Sequence, residues 1–533
     1  MKKLSNKDYI KNFLFENKVS LMFLILCAFA FRASGMSSIM FFNEIAIRFG
    51  RDTFIVLALL IPVVAGLGLN FGIVLGAMAA QIAIFAVIVL GSLELPEWLS
   101  FFDTALYGTS GLFIIAIVAT PMAILFGFLV GTLFNKMKGS EMIGGMVTGL
   151  FADGFYQLLF LWVMGGVIPI AYARVMTGTG VGVLNTINLD TYPTNMRQAL
   201  DNILMIHVLE FALFGMIAFM LILIIFRLIK KRSIKMSGDT SVRKPVIVLL
   251  ILAAVYLASG LGGALFVNPL THFLFQDRLN ALFAIQWGAL VMVLYIAYSI
   301  IRRKVIRKEP GVPYMQFVQL AMVGVIFSLS FVNAIYIGLQ NLGLPVFTYL
   351  LILSLCAFIK WLMNTRLGQN MRTVGQSRPV ATAAGINVDR TRVIAMIIST
   401  LLAAYGQIIF IQNFGVLNTY GQHRFVGTYA IAALLVGGAT VAKASIKHAL
   451  IGVILFHSLF ILAPIAGTNL TGSGMIGEYF RVFVSYVVIS VALIMHAWKR
   501  AKAKKEKESG NEKPADPPPV IVEPSQIVVE PAE

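Results

Sequence analysis

Residues 343–363 read GLPVFTYLLILSLCAFIKWLM, residues 364–392 read NTRLGQNMRTVGQSRPVATAAGINVDRTR, and an apolar run then resumes through residue 413. Each apolar run is long enough to cross a bilayer, for which about 20 mostly apolar residues suffice. The segment between them carries five arginines and one acid, which confines it to one membrane face. Its interior holds helix signals. Pro379 suits a first turn, the alanine-rich run favours helix, and Gly385 suits a left-handed stop. Small residues at Ala381, Ala383, Ala384 and Gly385 offer a knob that fits a groove on another protein, whereas a solvated basic loop is the plain alternative.

The rest of the chain repeats this alternation. Of 533 residues, 59% are hydrophobic and 12% charged, against about 25% charged in a soluble protein. This excludes soluble enzymes, DNA-binding proteins and secreted disulfide scaffolds. Apolar spans are expected at 18–34, 53–69, 71–91, 110–134, 142–171, 205–229, 246–266, 282–301, 314–338, 343–363, 391–413, 425–441, 448–467 and 480–498. The pairs around Asn70 and Gly437 read as broken or re-entrant helices. The expected class is an all-α polytopic membrane protein with about 12–14 transmembrane segments, over residues 1–498. Residues 499–533 turn lysine-rich and then proline-rich and acidic, a composition expected to be disordered and cytoplasmic. With a cytoplasmic N-terminus and every segment crossing, all 22 lysines fall on the cytoplasmic side or, for Lys360, at its edge. The connection 92–109 would lie outside, and it holds Glu94, Glu97 and Asp103 without Lys or Arg. The positive-inside rule therefore explains the net charge of +18 without nucleic acid. The expected localisation is the plasma (inner) membrane, multi-pass, with both termini cytoplasmic.

Motifs of chemistry are missing. The chain has no Gly-Lys dipeptide, hence no phosphate-binding P-loop, and no HExxH, GxSxG or paired-cysteine pattern. Six histidines are scattered, and Cys27 and Cys356 lie in apolar runs as small core residues. The chain reads as a conduit without a catalytic site, metal site or bound cofactor; any ATP would be used by another polypeptide.

The stretch Pro345–Gly406 resembles the permease subunits of ABC importers of the ribose, nucleoside and branched-chain amino acid type. The matching residues are Thr365, Arg366, Gly368, Met371, Arg372, Val374, Gly375, Ala383, Gly385 and Ile386, followed by Ser399, Leu402, Ala403 and Gly406. Ala430-Ile431-Ala432-Ala433 and Gly437-Gly438-Ala439-Thr440 extend the resemblance, which covers about 345–467. Lys443, Ser445 and Lys447 depart from the glycine-rich continuation of that family. A fainter likeness lies at Asn70, Gly72, Gly76 and Met78, with Val74 where the family has an acid. The resemblance implies that 371–386 is a coupling region on an ATP-binding cassette subunit, with Arg372, Gly375, Gln376, Ala383, Ala384 and Gly385 as its residues. It also implies a second permease subunit, identical or homologous, and an extracytoplasmic solute-binding protein as partners.

Polar residues inside spans are costly and face cavities or partners. Asn70, Gly72, Gln81, Asp153 and Asn333 are the candidates for a substrate path, with Gln157 one turn from Asp153 on the same helix face. Asp153 and Glu210 also admit a proton-coupled secondary transporter, although local pairing, with His207 beside Glu210, is the simpler role. A membrane scaffold recruiting partners through its tail is a third class. The three readings separate by experiment. An importer subunit requires an ATPase partner and loses uptake with Arg372→Glu or Gly375→Trp while still inserting. A secondary transporter works alone in liposomes under a proton gradient and loses uptake with Asp153→Asn. A scaffold tolerates all three changes and depends on residues after Trp498.

Overall fold

The computed structural model describes residues 18–92, 106–170, 174–178, 180–190, 195–201, eight positions between 289 and 300, 314–329, 332, 345–441, 443–483 and four positions between 486 and 494. These residues form helices α1 (Lys18–Ser34), α2 (Ser38–Ala58), α3 (Leu60–Val64), α4 (Val74–Leu90), α5 (Gly108–Lys136) and α6 (Glu141–Leu158). They continue with α7 (Tyr314–Leu329), α8 (Val346–Asn364), α9 (Arg366–Gln376), α10 (Arg378–Ala383), α11 (Val388–Phe414), α12 (Gln422–Val436) and α13 (Ile446–Thr471). Two three-residue strands, β1 (Thr186–Asn188) and β2 (Val416–Asn418), pair antiparallel with Ile187 opposite Leu417. Among the described residues, six helices are long and apolar enough to span a membrane, so the all-α polytopic class holds.

Burial sorts these spans. The apolar window leading into α4 is 72% buried and those of α11 and α13 are each 67% buried. The windows of α5 and α6 are 28% and 17% buried, so their apolar side chains face outward. A helix that is apolar all round belongs in a core or in lipid, and both cases occur here. α11 is the centre. Gly127 and Gly131 of α5 lie so close to it that a Cβ at either would come within 2.7 Å of the Ile397 Cα and 2.9 Å of the Val393 Cα. This is a GxxxG crossing, which lets backbones approach where lipid offers no hydrophobic drive between helices. At Gly76 of α4 an added Cβ would lie 2.3 Å from the Thr400 carbonyl oxygen of α11.

The span expected at 53–69 begins earlier, at Ser38. Glu44, Arg48, Arg51 and Asp52 depress the hydropathy of 38–52, yet these charges are compensated inside the protein. Arg51 Nε lies 3.3 Å from Asp52 Oδ2, and His457 Nε2 of α13 lies 3.3 Å from the same oxygen. The guanidiniums of Arg48 and Arg51 sit over the rings of Phe460 and Phe410 at 5.5 and 4.8 Å. The break at Asn70 is present: Gly66 and Gly68 take φ of +72° and +75° between α3 and a 3-10 turn, Phe71–Ile73. A second break follows α12, where Gly438 takes φ +92°. The expected spans 205–229 and 246–266, and the tail after 498, lie outside the described residues.

Basic connections share one face. Lys138 pairs with Asp389 at 2.9 Å, Gly66 packs on Gly375, and a Cβ at Gly68 would lie 3.1 Å from Val441, beside Lys443 and Lys447. On the opposite face, Asn469 Nδ2 donates to the Ser34 carbonyl at 2.9 Å, and β1 closes over the end of α11. The close crossing at Gly76 yields a prediction. Gly76→Ala forces α4 and α11 apart at a cost of about 1–3 kcal/mol of overpacking. Thermal unfolding in detergent should shift down by several degrees, while Gly154→Ala, with no atom within 4 Å of the added methyl, should not lower it.

Candidate functional site

The β1–β2 pairing sets where α12 starts. Asn418 accepts from the Gly421 amide at 3.1 Å, and Gln422 Oε1 accepts from the Asn418 amide at 3.1 Å, which fixes the turn into the helix. The first turn of α12 then delivers His423 into the protein core at 0% exposure. Its Nε2 lies 2.7 Å from Asp153 Oδ1 of α6, and its Nδ1 lies 2.8 Å from Gln81 Oε1 of α4. Gln81 is itself oriented, because its Nε2 donates to the Asn418 carbonyl at 3.3 Å. Asp153 Oδ1 also meets Arg424 Nε at 3.1 Å, and Oδ2 accepts from Gln157 Nε2 at 3.0 Å. The Tyr156 ring packs against the imidazole at 4.8 Å between centroids. Three helices, α4, α6 and α12, are thus tied at one buried polar node. Asp153 is compensated from another helix as well as by its own-helix neighbour Gln157, so both the local and the long-range partner are real.

Buried polar groups without a hydrogen-bond partner among the described residues also lie on these helices or on elements that adjoin them. They are both amide atoms of Asn70 and of Gln407, Thr400 Oγ1 and the Tyr156 hydroxyl. Such orphans are rare in native proteins and cost about 1–3 kcal/mol each. Asn70 stands at the helix break with 0% exposure; Thr400 and Gln407 share a face of α11 seven residues apart. Non-helical backbone and unpaired polar groups at membrane depth are tolerated where protein buries them or where they line a polar route. A cavity of about 560 Å³ between α4, α5 and α6 is apolar apart from Thr148 and Tyr156, a lining that does not suit a polar solute.

Of the expected path residues, the structure places Asn70 and Gly72 at the break and joins Gln81 to Asp153 through His423. Gly72 packs tightly, since a Cβ there would come within 3.1 Å of Val130. Asn333, and the pair His207 and Glu210, lie outside the described residues. His423 and Arg424 were not legible as partners, being 270 or more residues from Asp153; the turn-rich TYGQ before them was the local signal.

On the basic face, α9 buries Gly368, Met371 and Val374 and turns Arg372 and Gln376 outward. Thr365 caps α9 and Ser377 caps α10, whose first turn holds Pro379. Gly385, at φ +75°, ends the segment as its sequence predicts. Ala383, Ala384, Gly385 and Val380 are exposed, with Ala381 buried beneath them. Gly375 differs from its neighbours. A Cβ there would lie 2.1 Å from the Val64 carbonyl oxygen, so this glycine joins α9 to the end of α3. Gly375→Trp therefore disturbs the fold and is unsuitable as a probe of a docking surface. Among the described residues, no group of three His, Cys, Asp or Glu side chains is placed to hold a metal ion.

Comparison with known proteins supplies the family. The model of the family described as the permease component of the branched-chain amino acid transport system matches residues 206–493, more than half of the chain. The chain is 29% identical over 174 residues to the probable ABC transporter permease protein YphD of Escherichia coli strain K12, covering 32% of this chain and 50% of that protein. It is 30% identical over 161 residues to the autoinducer 2 import system permease protein LsrD of the same strain, covering 30% of this chain and 48% of that protein. The chain thus spans about half the length of the curated relatives it matches. No solved structure matches. With helices of spanning length, breaks at Asn70 and Gly437, and a basic helix pair between spans, the chain belongs to the family of branched-chain amino acid transport permease components.

Proposed function

We propose that this chain is the membrane-spanning permease subunit of an ATP-driven importer that moves a small polar solute by alternating access. The carrying observation is the α9–α10 pair. It is a short, capped, basic element between two spans, with Arg372, Gln376, Val380, Ala383 and Ala384 outward and its inner side packed on the helix break through Gly375 and Gly66. A helix that is exposed on one side and seated on a broken span on the other can carry force from a soluble motor to the membrane core. The ATP-binding subunit docks there; ATP is bound and used by that subunit and not by this chain.

The same reading sets the remaining assembly. A second permease subunit, identical or homologous, completes the pathway, and an extracytoplasmic solute-binding protein delivers the solute. The basic face is cytoplasmic and both termini lie on that side. The route runs beside Asn70, Gln81, Asp153, Thr400 and Gln407, whose amide, hydroxyl and carboxylate groups suit a hydrogen-bonding solute such as a nucleoside, a sugar or a branched-chain amino acid. That a similar protein is named for autoinducer 2 import supports the import reading. Broken helices at membrane depth commonly flank such routes in transporters.

The test needs no solute. The tagged chain is extracted in mild detergent from its own host and the copurifying proteins are identified by mass spectrometry, for wild type, Arg372→Glu and Ala384→Trp. A P-loop ATPase should accompany the wild type and be depleted at least several-fold in both variants, at unchanged thermal stability. A single-chain preparation in every sample would refute the reading.

A further inference from the structure

The turn between α5 and α6 is fastened to the α10–α11 connection by charges that composition does not reveal. Glu141, the first residue of α6, has a side chain only 8% exposed. Its Oε2 accepts from the Gly139 amide at 2.9 Å, which closes the turn. Its Oε1 accepts from two guanidiniums, Arg378 Nη2 on α10 and Arg392 Nη2 on α11. Arg392 is fully buried, and its Nε and Nη1 have no partner among the described residues. Its Nη2 also reaches the Phe134 carbonyl of α5 at 3.4 Å. Glu141 is therefore the carboxylate that makes burial of this arginine tolerable. The neighbouring Lys138–Asp389 pair has side chains 48% and 54% exposed and contributes little.

Glu141 sits at one end of a lever. Twelve residues further along α6, about 18 Å by helix rise, Asp153 is bound to His423 and Arg424 of α12. α10 itself is six residues long and buries only Ala381. Arg378 and Glu141 connect this small helix to the start of α6, and α6 runs as one continuous helix from there to the central node. We propose that Glu141 is the transmission residue by which movement of α10 is delivered to α6 and to the Asp153–His423–Arg424 node. This rests on the reading of α9–α10 as the docking surface of the ATP-binding subunit.

A purely structural staple would alter stability alone, so the test reads movement. Cys27 and Cys356 are replaced by alanine, and spin labels are placed at Phe151 on α6 and Leu470 on α13, both well exposed. The label separation is measured in the complex with its ATP-binding subunit, without nucleotide and with ATP plus vanadate. Wild type should show a nucleotide-dependent shift. In Glu141→Gln and in Arg378→Gln the shift should be lost while the ATPase subunit stays bound and still hydrolyses ATP. Arg378→Gln leaves Arg392 holding Glu141, so it keeps near wild-type thermal stability and decides the matter if Glu141→Gln does not fold. A shift in Arg378→Gln equal to wild type, at equal ATPase activity, overturns the proposal and leaves the docking reading intact. Failure of any ATPase to copurify with wild type overturns the docking reading and the proposal with it.

Discussion

Close backbone approach along α11 is the constraint on which the remaining structure depends. Helices in lipid gain nothing by hiding apolar side chains from a solvent that is equally apolar, so dispersion contacts and internal hydrogen bonds must hold them together. Gly127 and Gly131 bring α5 onto α11, Gly76 brings α4, and at Gly406 an added Cβ would lie 2.3 Å from Ile55 of α2. Three helices are thereby held close against one central helix. Because α4 cannot slide, the break at Asn70 and the carboxamide of Gln81 are held at set levels. His423 meets both of its partners, Gln81 and Asp153, at 2.8 and 2.7 Å.

Charge enters this apolar body in compensated groups at different levels. Glu141 with Arg378 and Arg392 lies near the basic face, Asp153 with His423 and Arg424 lies deeper, and Asp52 with Arg51 and His457 joins α2 to α13. Each group links at least two helices, and the first two stand on the same helix, α6. Isolated charges at these depths would be expensive, whereas a shared carboxylate offsets desolvation and selects one arrangement of the helices it joins. α6 is otherwise the least buried of the long spans, so its placement depends on these polar contacts more than on its apolar side chains.

Much of the fold was legible because hydropathy and helix punctuation act locally. α1, α4, α5, α6, α8, α11 and α13 follow apolar runs, and Pro379 with Gly385 marks α10 as the sequence suggests. The first half of α2 was not legible, since Glu44, Arg48, Arg51 and Asp52 look like a connection until their partners on α11 and α13 are known. Within the candidate site, Asn70, Gln81 and Asp153 stood out as polar residues in apolar runs. The partners His423, Arg392 and Arg378 did not, because pairing across more than 230 residues leaves no periodic trace. Gly375 matched a motif that resemblance alone ties to docking, whereas its contact with Val64 shows that steric need at the α3 end is itself sufficient reason for a glycine.

The long separation between Asp153 and His423 also dictates an order of assembly. Translation proceeds at about 5–20 residues per second, so α6 leaves the ribosome well before α12, which lies 270 residues downstream. For roughly 14–54 seconds at that rate, Asp153 has to reside in the membrane or its translocation channel without His423 and Arg424, with Gln157 as its own-helix partner among the described residues. Glu141 waits similarly for Arg378 and Arg392. The carboxylates that lock the finished protein are therefore liabilities during its synthesis. A chain interrupted after α6 has Asp153 without His423 and Arg424, and Glu141 without Arg378 and Arg392, so both carboxylates lack the partners that compensate them in the folded protein.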